Sequence, residues 1–371
     1  MRRRAFLTTV GVGVAGGLAG CSSDSPSDGG NNTGTTTSEP EYAVYTTSPM
    51  DEVPIDGAPE TWVANNGSYA DMGLALGVDE PTALWMTSRW HTNYYDGIDG
   101  VSPDKSDMIS LYQSGVEQER FHERDADIHV MDPNFLLNRF NGWTKEKVAD
   151  IEENVAPFYG NSIFSRGYPW HADYDYLTLY EAFEKLAGLF ERTERYDAFA
   201  SLHEDVQSEL DGVAPTAESD QPRVAVLWAT GDEPTSFLPY LVNEGTSFKQ
   251  WRDLNVRDAL AETDVKDFHA SRGSIDFETL LDVDPDVLLL RGHESKSASK
   301  FESTVVQFME DHEIGSELTA VENGDVYRGG PLYQGPISNL VLTERGASQL
   351  YGYDGQLFDR ERVTDIVNGD V

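Results

Sequence analysis

Arginine and aromatic side chains recur just past the apolar runs of this chain, where basic residues are scarce enough for the placement to matter. Acidic residues outnumber basic ones 65 to 27 over 371 residues. Even so, Arg89 and Trp90, then Phe164, Arg166 and Trp170, then Trp228, Arg272, Arg291 and Tyr333 each come after a short run that reads as a strand. Tyr69 holds a similar place nearer the start, and Asn65, His91, Asp132, Thr230 and His293 stand beside these residues. Ligands of open parallel sheets sit beyond the carboxyl ends of the strands, so the set is a candidate binding surface. Flat rings supply contact area, and guanidinium forks grip carboxylate or catecholate oxygens bidentately. The chemistry they suit is capture of a bulky, anionic, partly aromatic small molecule. Each ring also has a plainer role open to it, in core packing or as a loop anchor. Arg291, after a buried run, could equally pair with a surface carboxylate.

Direct metal binding is the rival chemistry. None of the 8 histidines stands in an H-x-x-x-H or H-E-x-x-H pair. His91, His171 and His293 could meet only through the fold, whereas a bare metal site needs three or four donors at set geometry. No metal site is expected. Asp282-Val283-Asp284-Pro285-Asp286 looks like a calcium loop but lacks its glycine, and it reads as a helix-to-strand turn. There is no G-x-S-x-G elbow, no P-loop, and no carboxylate pair that stands out from the acidic background. The expectation is a binding protein without a cofactor, and not an enzyme. Cys21 is the only cysteine, which excludes disulfides, thiolate clusters and cysteine catalysis inside the fold.

The N-terminus reads as an address. Arg2, Arg3 and Arg4 precede an apolar, glycine-rich run over residues 5–20, and Cys21 follows. That is the layout of an export signal, and the run is shorter than the roughly 20 residues of a membrane span. Arg3-Arg4-Ala5-Phe6-Leu7 resembles the twin-arginine export pattern, and Leu18-Ala19-Gly20-Cys21 resembles a lipobox in which Cys21 is lipidated. The G-x-G-x-x-G over residues 11–16 lies inside this segment, without the strand and helix a dinucleotide site needs. After Cys21 come Ser, Thr, Gly, Asn, Asp and Pro, a composition that cannot bury a core. The formal charge of -38 is spread along the whole chain. This resembles the acidic coat of secreted, salt-adapted proteins, whose self-repulsion is screened in concentrated salt. Nucleic acid is a poor partner for such a surface.

Elements that could position the candidate residues follow from periodicity. Strands are expected at 61–64, 83–86, 127–131 and 155–159, with a helix at 69–76 stopped by Gly77. Apolar residues at helical spacing fill 174–213, with a polar break at 191–195. Strands then return at 223–228, 265–268, 286–290 and 326–328, with a helix at 275–281. Short strands alternating with helices indicate parallel sheets with flanking helices. The reading is two α/β halves joined by one helical passage.

Several phrases resemble the ferric-siderophore and cobalamin class of ABC-transporter substrate-binding proteins (periplasmic binding protein class III). They are WVANNGSYADMGLALGV at 62–78, ERFHERDADIHVMDP at 119–133, SIDFETLLDVDPDVLLL at 274–290 and TAVENGDVYR at 319–328. Residues 86–114 depart from the family by a longer, aromatic-rich insertion. The resemblance implies an α/β fold of two Rossmann-like lobes bridged by a long helix, with the ligand cleft between them. Its division of the chain is an export signal with lipobox (1–21), a disordered tether (22–57), an N-terminal lobe (58–195), a connecting helix (196–213) and a C-terminal lobe (214–371). It implies a monomeric, lipid-anchored receptor on the outer face of the cell membrane that delivers a ferric siderophore to an ABC permease and its ATPase. Cobalamin or haem on the same fold, or an exported metal-dependent hydrolase, are the alternatives. One glutamate per lobe would dock on the permease: Glu278, which occupies the family's position, and Glu146.

Overall fold

A computed structural model describes residues 43–371 apart from Ala172; the export signal, Cys21 and tether residues 22–42 lie outside the described residues. The first described element corrects the expected tether of 22–57. Strands β1 (Ala43–Thr47) and β2 (Met50–Ile55) pair as an antiparallel hairpin. Val53 and Ile55 are buried, the Lys185 ammonium donates to the Thr46 carbonyl at 3.1 Å, and the Asn161 amide donates to the Ser48 carbonyl at 2.8 Å. The polar composition ends before this segment, and alternating apolar residues give it a face to bury.

In the N-terminal lobe, β3 (Trp62–Ala64), β4 (Ala83–Leu84), β5 (Ile109–Ser110) and β6 (Ile128–Val130) form a parallel sheet in the order β5-β4-β3-β6. The helix Gly67–Ala75 starts where the Asn66 side chain accepts the Ser68 amide at 2.9 Å, a standard N-cap. Asp132 caps Pro133–Arg139 in the same way, with proline in the first turn. The strand expected at 155–159 reduces to one parallel bridge between His129 and Phe158. Pro157 has no amide hydrogen for a longer ladder.

The helical passage is two helices, Leu179–Leu189 and Thr193–Leu210. Thr178 and Glu181 form a reciprocal capping box at the start of the first. The second is the spine, placed slightly earlier than expected, with Phe199, Leu202, Val206 and Leu210 on its buried face.

In the C-terminal lobe, β7 (Arg223–Trp228) is joined by β8 (Leu238–Pro239) antiparallel and by β9 (Arg257–Asp258) parallel. β10 (Val287–Arg291) runs parallel to β7, and β11 (Val326–Arg328) parallel to β10. All five β10 residues are buried, as a two-faced central strand requires. The strand expected at 265–268 is instead the approach to a helical turn, Phe268–Ser271. The Asp267 carboxylate accepts the His269 amide at 2.7 Å and nucleates that turn.

The boundary of the second lobe also needs redrawing from 214–371. The closing helices Pro336–Tyr351 and Arg360–Asn368 pack on the Gly67–Ala75 helix and the spine. The Thr364 hydroxyl donates to the Asp99 carbonyl at 2.7 Å. One continuous core therefore runs through both lobes, and a second fills the outer face of the C-terminal sheet.

His129 in β6 offers a test of this packing. It is buried between Phe121 and Phe158, ring centroids 5.3 and 4.9 Å away, and its Nδ1–H donates to the Ala156 carbonyl at 3.1 Å. Burial pushes its pKa from 6.5 down to about 4, so the unfolded chain takes up the proton first. A folded pKa below the unfolded one means stability that is present above pH 6.5 and lost as pH falls toward 4. In urea titrations across that interval, wild type should lose about 3 kcal/mol more than His129→Phe.

Candidate ligand cleft

The carboxyl ends of the two sheets face each other across a cleft of about 830 Å³. On the N-terminal side, Trp85, Met86 and Arg89 follow β4, Tyr112 follows β5, and Arg139 closes the helix after β6. Phe164 and Tyr168 line it as well. On the other side, Trp228 ends β7, Tyr240 follows β8, and Phe268, His269, Arg272 and Tyr333 complete the wall. A separate groove of about 660 Å³, near Lys266 and Thr279, draws on the C-terminal lobe alone and has no aromatic ring in its lining.

The cleft reverses the sign of the chain. Arg89, Arg139 and Arg272 line it against one carboxylate, Glu117. The Arg89 guanidinium lies 5.1 Å from the Trp228 ring centroid, a cation–π contact that holds the two lobes' walls in register. Arg272 adopts a left-handed backbone, φ 56°, that ends the Phe268–Ser271 turn. Its guanidinium stands 5.1 Å from Phe268 and 5.9 Å from Tyr168. Trp85 packs at 4.7–5.2 Å from Phe140, Phe135 and Tyr112 and forms an aromatic floor. Behind Trp228, a side chain on Gly292 would come within 2.5 Å of the Ala229 carbonyl and 3.2 Å of the indole. Burial raises the Tyr333 phenol, with Arg89 pulling it partly back.

Five candidate residues meet here: Arg89, Phe164, Trp228, Arg272 and Tyr333. The other five do not. Tyr69 is buried and exchanges hydrogen bonds with the Asn161 backbone at 2.9 Å. Trp90 is buried, its indole donating to the Tyr95 hydroxyl at 2.8 Å. Arg166 lies over Tyr176 at 4.6 Å, and Trp170 stacks on Tyr168 at 4.3 Å, one layer back from the lining. Arg291 is fully buried behind the wall. Arg139, Tyr168, Tyr240 and His269 also line the cleft, outside the sequence candidates. Arg139 is carried there by the helix that Asp132 caps. Glu146 and Glu278 are exposed in the first turns of Lys145–Asn154 and Phe277–Val283, one on each lobe.

Ser165, His269 and Asp267 look like a hydrolytic triad but are not wired as one. The Ser165 hydroxyl at 3.2 Å and the Asp267 carboxylate at 3.3 Å both meet the same nitrogen, His269 Nδ1. A relay needs the two partners on opposite ring nitrogens. Burial pushes the Asp267 carboxyl up, and its bonds with His269 and the Leu241 amide more than reverse that. The trio fixes the imidazole in the wall. Among the described residues no group of three His, Cys, Asp or Glu side chains is placed to hold a metal.

The sequence model of the periplasmic binding protein family matches residues 107–332. The chain belongs to that family. Periplasmic binding proteins capture a substrate without transforming it, so the alternative of an exported metal-dependent hydrolase falls, and what occupies the cleft is cargo and not a cofactor. Solved structures share the fold. A periplasmic binding protein from Veillonella parvula is 13% identical, covering 85% of this chain and 99% of its own, with a TM-score of 0.58. The triscatecholate siderophore binding protein FeuA from Bacillus subtilis, complexed with ferri-bacillibactin, is 15% identical over 81% and 95%, TM-score 0.54. An ABC-type Fe3+-hydroxamate transport system protein from Saccharomonospora viridis is 18% identical over 82% and 97%, TM-score 0.53. No curated protein matches the sequence. The two-lobed α/β architecture implied by the sequence resemblance is therefore the fold of this periplasmic binding protein.

Two buried carboxylates hold the cleft's rim. Asp71, from the first helix, accepts the amides of Ile337 and Ser338 at 2.8 and 2.9 Å and the Tyr95 hydroxyl at 2.8 Å. Glu294 accepts the Gly330 amide at 2.9 Å and the Tyr94 hydroxyl, and pairs with Arg345 at 3.4 Å. Tyr333 lies between these two fixed points. Asp71→Ala leaves two amides and a phenol without an acceptor in a dry site. It should cost about 3 kcal/mol in denaturant titrations and speed hydrogen exchange at Ile337 and Ser338.

Proposed function

We propose that this periplasmic binding protein is a lipid-tethered receptor that captures a ferric siderophore outside the cell and hands it to an ABC permease powered by its ATPase. The observation that carries the reading is the arginine-lined, aromatic-walled cleft in a chain of charge -38. A ferric chelate with catecholate or carboxylate oxygens presents an anionic, partly aromatic surface, and guanidinium forks and ring faces recognise both properties. The cleft volume lies within the range of small-molecule sites. The FeuA complex with ferri-bacillibactin supports the choice of cargo class. Exposed Glu278 and Glu146, one per lobe, supply the permease contact, and Cys21 supplies the lipid anchor.

Titration of the purified protein with ferric tris-catecholate, ferric hydroxamate, cyanocobalamin and haemin, followed by tryptophan fluorescence, tests this. Trp85 and Trp228 line the cleft and report occupancy. Ferric chelates should quench at micromolar concentration or below. Arg89→Gln, Arg139→Gln and Arg272→Gln should each weaken the anionic chelate about tenfold. Binding of only the corrinoid or the porphyrin would replace the siderophore reading. Glu146→Arg combined with Glu278→Arg should stop uptake while leaving the fluorescence titration unchanged.

A further inference from the structure

Arg291 ends β10 and is fully buried, so it cannot touch cargo. Its guanidinium packs 5.5 Å from the ring centroid of Tyr240, a cleft-wall residue, and 4.5 Å from that of Phe248. One nitrogen, Nη2, donates to the Ser247 carbonyl; Nε and Nη1 have no partner. Among the described residues, Arg291 makes no ion pair with a carboxylate. The nearby carboxylates are engaged elsewhere: Glu294 by Arg345, Tyr94 and Gly330, and Asp267 by His269 and the Leu241 amide. Burial lowers its pKa only to about 10, so it stays charged at neutral pH. Buried charges are ordinarily paired, and a purely structural arginine at this site would be expected to carry a carboxylate.

We propose that Arg291 is a specificity-determining residue whose buried charge, set behind Tyr240, selects anionic cargo in salt concentrations that mask the cleft-lining arginines. The inference rests on the siderophore reading above. Arg139 and Arg272 are exposed, and Arg89 is half-buried. Near 1 M salt the screening length falls to about 3 Å, which cancels exposed charges over the width of a ligand but leaves a buried charge acting through low-dielectric protein. Ions cannot enter between Arg291 and the Tyr240 ring, so its field crosses the wall unscreened. The acidic coat makes this useful: the milieu that relieves the chain's self-repulsion also weakens every exposed arginine.

The test compares Arg291→Met, close in length and neutral, with Arg291→Lys, which keeps the charge. Binding of an anionic ferric tris-catecholate and a neutral ferric hydroxamate is measured in about 0.1 M and about 2 M KCl. Arg291→Met should lose about tenfold in affinity for the anionic chelate at both salts and little for the neutral one. Arg291→Lys should recover most of the loss, and the defect of Arg89→Gln should shrink at high salt. A folded Arg291→Met that binds the anionic chelate like wild type, or loses both chelates equally, overturns the proposal. Wild type alone gives a second check that needs no variant: its preference for the anionic chelate must persist at high salt, and collapse of that preference also overturns it. Wild type binding neither chelate at either salt would instead sink the siderophore reading, and this inference with it.

Discussion

Two lobes that share a cleft must be held at a fixed separation, and here the helix Pro336–Tyr351, packed on Gly67–Ala75 and on Lys249–Asp253, is fastened by two buried carboxylates. Asp71 reaches from the N-terminal lobe to cap a helix that begins in the C-terminal part of the chain. Its two amide bonds supply the side-chain acceptor that the start of Pro336–Tyr351 otherwise lacks. Glu294 does the reverse, reaching from the C-terminal lobe to Tyr94. The consecutive tyrosines Tyr94 and Tyr95 each serve one of these carboxylates, so the insertion that departs from the family phrases is a structural clasp. Gly335 shows how close the approach is: a side chain there would come within 2.4 Å of the Asp71 Cβ.

Charge distribution follows a second constraint. A coat of like charge repels itself and repels any approaching anion as well. The cleft escapes because its arginines come from three different elements: Arg89 and Arg272 at the ends of short helical turns, and Arg139 at the end of a helix. The surrounding rings do more than provide area. They orient the guanidinium groups by cation–π contact, as Trp228 does for Arg89 and Phe268 for Arg272, and so limit the side-chain entropy lost when cargo arrives.

Much of this was legible in the sequence because β7 and β10 are nearly continuous apolar runs with clear ends, and the spine's apolar face recurs at helical spacing. The strand-end rule found half of its ten residues in the cleft. It failed at Tyr69 and Trp90 because position after a strand does not say which way a side chain points, and both rings found polar partners inside. Tyr240 follows a strand of only two residues, too short for any period to register. Arg139 lies at the far end of the helix that follows β6, beyond the reach of the strand-end rule. The hairpin β1–β2 was swallowed by the low-complexity run before it, although Tyr45, Val53 and Ile55 carry an apolar face. Asp71 could not have been singled out among so many acidic residues, since its partners are backbone amides far along the chain.

These constraints bear on how cargo release must work. With one continuous core through both lobes and two dry carboxylate crosslinks, opening the cleft by hinge motion would expose Asp71, Glu294 and their donors together, and each unmade bond to a buried charged group is worth about 2 kcal/mol. Such an opening is sparsely populated in the free protein. A cleft so held binds with little reorganisation, which favours slow dissociation over fast exchange. The energy to separate the lobes must then come from contacts made outside the cleft. Surface outside the cleft is exposed on both lobes, as at Glu146 and Glu278, whereas the clasp itself is buried.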